Sequence, residues 1–92
     1  MKIPNSIIIS GIKFNINQIP VLEHDSFGNY DIKDGEINID KHLPESVKWG
    51  VFFHELLHLV SFFCETDMSE SDTTRTAWAF FEVLNNNKLL KE

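Results

Sequence analysis

The 92-residue sequence contains only one cysteine, Cys64, and few basic residues. A single cysteine cannot form an internal disulfide, which favours a reducing, cytoplasmic compartment. The 8 lysines and arginines are outnumbered by 14 acidic residues and form no cluster, so the net charge is −6. We therefore expect neither a nucleic acid nor an anionic membrane among the partners of this chain.

Long hydrophobic runs are also missing from the sequence. No apolar stretch reaches the roughly 18 residues that a membrane span requires, and Met1–Ser10 lacks the pattern of a cleavable signal. Hydrophobic residues make up 42% of the chain, which is ordinary for a globular protein. Without repeats or linkers, the sequence predicts a single domain over residues 1–92.

The first half of the sequence has the pattern of short β-strands. Apolar and polar residues alternate from Ile12 to Asn17, the period of a half-buried strand, and Ser10-Gly11 is a predicted turn before it. Segments Phe27–Ile32 and Glu36–Asp40 flank Asp34-Gly35, a pair typical of β-hairpins. These segments predict a small antiparallel sheet.

The second half has the pattern of two helices. Pro44 suits a first helical position, and the first helix is predicted from about Pro44 to Cys64. Ser69, with Asp72 three residues later, resembles a capping box that begins a second helix. Residues at helical spacing then form its expected core face: Ala77, Phe80, Phe81 and Leu84. The predicted fold class is therefore α+β, a small antiparallel sheet followed by two helices.

The string His54-Glu55-Leu56-Leu57-His58 is the most informative part of the sequence. On a helix the two histidines lie one turn apart along the axis and about 40° apart around it, so both imidazoles can converge on one ion. Neutral imidazole is a good zinc ligand. Glu55, about 60° from His58 on the helical wheel, can reach a water on the same metal. The string predicts that His54 and His58 bind zinc and that Glu55 is the general base.

The surroundings of this string also favour a metal site. The helix that carries it is hydrophobic on nearly all sides, which is typical of a buried helix. Two histidines and a carboxylate are costly to bury unless a partner such as a metal satisfies them. The alternative is that His54 and His58 are core histidines bonded to carbonyl groups, with Glu55 at the surface.

A third ligand is expected, because catalytic zinc usually takes three protein side chains and a water. The metzincin pattern, with a third histidine six residues after the second, fails because Cys64 stands there. The acidic candidates beyond the motif are Glu65, Asp67, Glu70 and Asp72. The first two fall in the predicted turn between the helices. Glu70 shares a helical face with Ala77, which should pack on the first helix, so we favour Glu70 and keep Asp72 as the alternative.

With these features the sequence resembles the small zinc metallopeptidases of phages and prophages that are related to ImmA/IrrE-type peptidases. The resemblance extends from about Ile12 to Leu90, and only the motif His54–His58 is individually specific. The other matching segments are Ile12–Asn17, Gly28–Asp31, Gly35–Asp40, Leu43–Glu45 and Ala77–Leu84.

The resemblance implies a minimal zincin-like domain: a sheet, an active-site helix and a second helix that carries a ligating glutamate. It implies that His54 and His58 bind zinc and that Glu55 is the general base. In the related peptidases the ligating acid tends to lie three residues before the alanine that matches Ala77. Here that position is Thr74, so the third ligand has moved, or the metal is bound loosely, or activity is lost. Glu70 lies one turn earlier on a similar face and could take over as the ligand.

The predicted function is that of a zinc-dependent metallopeptidase acting on a protein or peptide. Its substrate would extend along an edge strand, for which Glu36–Asp40 is the expected candidate because it directly precedes the active-site helix. The alternative is a zincin-scaffold binding protein, weak or inactive in catalysis, that regulates a host or phage partner. The apolar first helix leaves a homodimer open. His24 is expected to be an exposed loop residue.

Overall fold

The computed structural model describes residues 2–20 and 26–89 of the chain. Its elements are, in chain order, β1 (Ser6–Ile9), β2 (Ile12–Ile19), β3 (Gly28–Asp31), β4 (Glu36–Asp40), α1 (Glu45–Cys64) and α2 (Glu70–Asn86). A sheet followed by two helices confirms the predicted α+β class. His24 lies outside the described residues.

The four strands form one mixed sheet in the order β1-β2-β4-β3. Strands β1 and β2 are antiparallel, as are β3 and β4, but β2 and β4 run parallel. The prediction of a wholly antiparallel sheet is therefore wrong at its central pairing. Within the β3–β4 hairpin, β4 takes the inner position beside β2, and β3 lies at the edge of the sheet. This order buries Ile37 and Ile39 of β4 fully, whereas Tyr30, the only large apolar residue of β3, is exposed.

The two hairpin turns follow the predicted residues. Ser10 and Gly11 have φ angles of 50° and 79°, and a two-residue loop with both angles positive matches the twist of the flanking strands. In the second turn the Asp34 N–H donates a hydrogen bond of 3.0 Å to Oδ1 of Asp31. Gly35, at φ 69°, then leads into β4.

The hydrophobic core lies between one face of the sheet and α1. The sheet contributes the buried residues Phe14, Ile16, Ile37 and Ile39, and α1 contributes Trp49, Val51, Phe52 and Leu59. Helix α1 packs on β3 and β4, and α2 packs mainly on α1. This stacking places the middle of α1 between strand β3 and helix α2.

Helix α1 is less enclosed than its all-round hydrophobicity predicts. Phe62 is 58% exposed and Cys64 is also exposed, because the sheet and α2 cover only part of the helix circumference. By length and composition α1 could also span a membrane, with a mean hydropathy of 1.2, but the core helix of a soluble protein passes the same test. The packing of α1 within a compact globular unit agrees with its being the core helix of a soluble protein.

Helix α2 begins where its predicted cap lies. Oγ of Ser69 accepts a hydrogen bond of 3.0 Å from the Asp72 N–H, so Glu70 is the first helical residue. Ala77 and Phe81 are buried as expected, but Phe80 is 53% exposed. The prediction for Phe80 is wrong because α2 packs on one neighbouring helix, which covers only a narrow stripe.

Candidate metal centre

The two histidines of the motif converge on the side of α1 that faces α2. Their Nε2 atoms are 3.0 Å apart. The side chains of His54 and His58 are 19% and 22% exposed, so solvent reaches both rings. Their Nε2 atoms face a carboxylate rather than backbone carbonyls, which disfavours the interpretation as core histidines.

That carboxylate belongs to Glu70. Its Oε1 lies 2.7 Å from Nε2 of His54, and its Oε2 lies 3.0 Å from Nε2 of His58. Among the described residues, His54, His58 and Glu70 are the one set of three candidate ligands whose donor atoms come together, all within 4.8 Å. The structure therefore brings the favoured acid to the histidines, while its role as a ligand stays a prediction.

Asp72, the alternative third ligand, is directed elsewhere. Its Oδ1 accepts a hydrogen bond of 2.7 Å from Arg75. The pKa of the Asp72 carboxyl is lowered, first by this hydrogen bond and then by one with Ser69. Because the carboxylate is held by Arg75, one helical turn further along, it is absent from the histidine cluster.

A short, internally bonded loop sets the position of Glu70. Helix α1 ends at Cys64, and the capping residue Glu65 that follows has a left-handed φ of 55°. The Ser61 hydroxyl then donates to the carbonyl oxygen of Thr66 at 2.7 Å, and the Thr66 hydroxyl donates to Ser61 Oγ at 2.8 Å. With Ser69 capping α2, these contacts place Glu70 against the histidines.

The geometry of the cluster fits a zinc ion. Three tetrahedral ligands at the usual 2.0–2.1 Å from zinc are about 3.3 Å from one another. The contacts of 2.7 and 3.0 Å around His54 Nε2 are a few tenths shorter, so a small outward shift of the side chains would accommodate the ion. Two imidazoles and one carboxylate are a donor set of catalytic zinc. Because the Glu70 side chain is 69% exposed, a fourth ligand could approach from solvent.

Thr74 contacts the opposite end of the His54 ring. Its Oγ1 lies 3.3 Å from Nδ1 of His54. A neutral imidazole that uses Nε2 as a ligand carries its proton on Nδ1, and such rings usually donate that proton to a neighbouring acceptor. Sequence reasoning identified Thr74 only as a missing acid, because the contact depends on how α2 packs on α1.

Glu55 lies on the other side of the histidine pair, beneath β3. Glu55 is 7% exposed. Gly28 of β3 lies close to it, since a Cβ added to Gly28 would be 3.6 Å from Cγ of Glu55. The pKa of Glu55 is raised to about 7, mainly because the carboxyl is buried. The nearby His54 lowers this pKa, and the nearby Glu70 raises it. A carboxyl with a pKa near neutrality is suited to accept and return a proton at neutral pH.

Strand β3 is the edge of the sheet that borders the centre. Among the described strands it pairs with β4 alone, and the ring of Tyr30 is 5.6 Å from that of His58, measured between centroids. The prediction that Glu36–Asp40 is a free edge is wrong, because β4 is paired with β2 on one side and β3 on the other. The free edge beside the centre is Gly28–Asp31.

A cavity of about 320 Å³ opens next to the centre, towards the beginning of α1. Its polar end is formed by His54, Glu55 and Thr74. Phe27, directly before β3, and Trp78 of α2 contribute aromatic rings to its walls. The cavity combines residues from the β3 region, α1 and α2, so no single stretch of sequence could have predicted it.

Comparison with known proteins adds no identification. The chain matches no known family, no curated protein and no solved structure.

Proposed function

We propose that this chain is a zinc-dependent metallopeptidase that hydrolyses a peptide bond in a protein or peptide substrate. The observation that supports it most strongly is the position of Glu70, whose two carboxylate oxygens lie 2.7 and 3.0 Å from the Nε2 atoms of His54 and His58. A glutamate 12 residues beyond the motif completes a ligand set that the motif alone leaves unfinished.

In this proposal His54, His58 and Glu70 hold the ion, and Thr74 orients His54 through Nδ1. Zinc bound there would polarise the substrate carbonyl and lower the pKa of an attacking water. The partly exposed histidines and the exposed Glu70 leave the centre open to a substrate of any length. These features favour a shallow cleft over a closed chamber.

In this proposal Glu55 transfers the proton. It accepts one proton from the water as the oxygen of that water bonds to the carbonyl carbon. It then donates the proton to the amide nitrogen as the C–N bond breaks, so that a carboxylic acid and an amine are released. Its burial and raised pKa, to about 7, suit both halves of this transfer.

The backbone of the substrate would lie along β3. In the described sheet no strand pairs with the outer edge of Gly28–Asp31, so an extended peptide can join that edge as an added strand. Such a strand would lie near Glu55, because Gly28 is close to the Glu55 side chain. It would also lie near His58, because the ring of Tyr30 is next to the His58 ring. The net charge of −6 would favour a basic target.

The resemblance to phage and prophage peptidases and a cytoplasmic location belong to the same proposal. Support for the location comes from Cys64, a single cysteine without an intramolecular partner. Its exposed thiol is stable in a reducing compartment.

A cleavage assay with an unbiased peptide library, read by mass spectrometry, tests the activity. The zinc-loaded chain should cleave some of the peptides, and Glu55→Gln should abolish cleavage while retaining zinc. Glu82→Gln, on the exposed part of α2, is the matched control and should remain active. No cleavage by the zinc-loaded chain, or equal cleavage by Glu55→Gln, would overturn the proposal.

A binding protein on the same scaffold is the second candidate. It is favoured by the exposed apolar residues on the outer side of α2, where Phe80 and Val83 are 53% and 56% exposed. Glu55→Gln separates the two candidates, because a binding protein would keep its biological effect after this substitution. A peptidase would lose it.

A further inference from the structure

The cavity beside the centre is enclosed by residues that meet because two glycines lack side chains. A Cβ on Gly50 of α1 would lie 2.2 Å from Cη2 of Trp78, and one on Gly28 would lie 2.4 Å from Cγ1 of Val51. Trp78 can therefore lie directly against the α1 backbone, and β3 can approach the same helix from the other side. The cavity is formed between these two close contacts.

The lining of the cavity is apolar away from the centre. Phe27, Val47, Val51 and Trp78 supply its walls, and no lysine or arginine is among the described residues that line it. Glu55, the one carboxylate among those described residues, lies at the end next to His54 and is assigned to proton transfer. Within the described part of the chain, a charged substrate side chain would therefore find no counter-ion that is free for it.

The size of the cavity suits one large side chain. It measures about 320 Å³, near the lower end of the range for ligand pockets. An engineered cavity of about 150 Å³ is enough to hold benzene. The space thus suits one large apolar side chain, with room for the adjoining backbone at the open end.

We propose that this cavity binds one apolar side chain of the substrate, of the size of leucine to phenylalanine, from a residue flanking the scissile bond. The identification of the occupant as part of a peptide rests on the proposed function. The continuity of the cavity with His54 and Glu55 places that side chain next to the bond to be cleaved. Trp78 and Phe27, which are 40% and 56% exposed, contact it at the mouth.

Binding is tested with blocked single residues, which require no cleavage. N-acetyl amides of phenylalanine, leucine, glycine, lysine and glutamate are titrated at millimolar concentration into the full chain. Backbone and indole ¹H–¹⁵N resonances are followed. The phenylalanine and leucine probes should shift the signals of Val47, Gly50 and Trp78, and the other three should not. Equal binding of the lysine or glycine probe, or shifts confined to the outer side of α2, would overturn the proposal.

Two substitutions at Val47 sharpen the test. Val47→Asp places a carboxylate in the cavity but also at the beginning of α1, where negative charge is favourable for the helix, so folding should be retained. Val47→Phe fills the cavity with an apolar group. Each substitution should weaken binding of the phenylalanine probe at least tenfold. The control Val60→Asp, on an exposed part of α1, should leave this binding unchanged. Unchanged binding in Val47→Phe contradicts the proposal even if Val47→Asp fails to fold.

Cleavage of the peptide library distinguishes this inference from the function on which it rests. Cleavage with a preference for leucine or phenylalanine at one position supports both. Cleavage with no preference, or with a preference for lysine or arginine, overturns the proposed role of the cavity but still supports the proposed peptidase function. Apolar probes that bind without any cleavage overturn the peptidase and leave the cavity as an apolar binding site.

Discussion

Oγ1 of Thr74 lies 3.3 Å from Nδ1 of His54, while Nε2 of the same ring lies 2.7 Å from Glu70. The two ends of one imidazole thus contact two residues one turn apart on α2. In the proposed centre, Glu70 is the metal ligand on the Nε2 side of this ring, and Thr74 orients the ring from the Nδ1 side.

Replacing Thr74 tests this division of roles. Thr74→Val removes the acceptor for Nδ1 with little change of shape and should weaken zinc binding by about 10- to 100-fold, as loss of such partners typically does. Thr74→Ser keeps the hydroxyl and should bind zinc like the native chain. Competition with a chromophoric chelator measures the affinities. Equal affinities for all three chains would mean that Thr74 has no positioning role.

The choice of third ligand is tested on the first turn of α2. Glu70→Ala should lose tight zinc binding, because two histidines alone hold the ion weakly. Asp72→Ala should retain it, since the Asp72 carboxylate is bonded to Arg75. Both residues are exposed acids at the same helix end, so each is the control for the other. Loss of zinc in the Asp72 variant alone would reverse the assignment.

Glu55 gives the metal-free chain a specific pH dependence. Its pKa is raised from 4.5 to about 7 on folding, so between these pH values the folded chain keeps a proton that the unfolded chain releases. The free energy of unfolding should therefore fall as pH rises through this window.

The neutral side chain in Glu55→Gln avoids this loss. Measured by chemical denaturation with a metal chelator present, the variant should gain stability relative to the native chain as pH rises. The gain should level off above about pH 7 at no more than roughly 3 kcal/mol. A difference that stays constant from pH 4.5 to 8 would show that Glu55 is not buried in its charged form.

The core between α1 and the sheet predicts a contrast between adjacent residues. Leu59 is fully buried and Val60 is 37% exposed. Leu59→Ala should lower the free energy of unfolding by about 2–5 kcal/mol, and Val60→Ala by less than about 1 kcal/mol. Urea denaturation at constant pH measures both values. Similar losses at the two positions would mean that α1 is packed differently.

Local sequence signals predicted the elements well. Ser10-Gly11 and Asp34-Gly35 lie at the turns because their backbone angles or hydrogen bonds are set within a few residues. Ser69 caps α2, and that single position sets the phase of the helix that follows. Because α2 begins there, Glu70 falls on the side of the histidines and Asp72 does not.

Long-range pairing could not be predicted in the same way. Alternation shows which face of β4 is buried but not which strands lie beside it, so the parallel pairing of β2 with β4 and the free edge of β3 were missed. Phe80 follows the helical period of a core residue, yet its exposure depends on how many neighbours α2 has. The contact between Thr74 and His54 likewise depends on the packing of α2 on α1.

Metal content is the most direct test of the proposed centre. The chain is purified without a histidine tag or added metal, and zinc per chain is determined for the native protein and for His58→Ala, with folding checked by circular dichroism. We expect one zinc per native chain and its loss in the variant. A folded native chain that carries no zinc and takes none up at micromolar concentration would contradict the central claim.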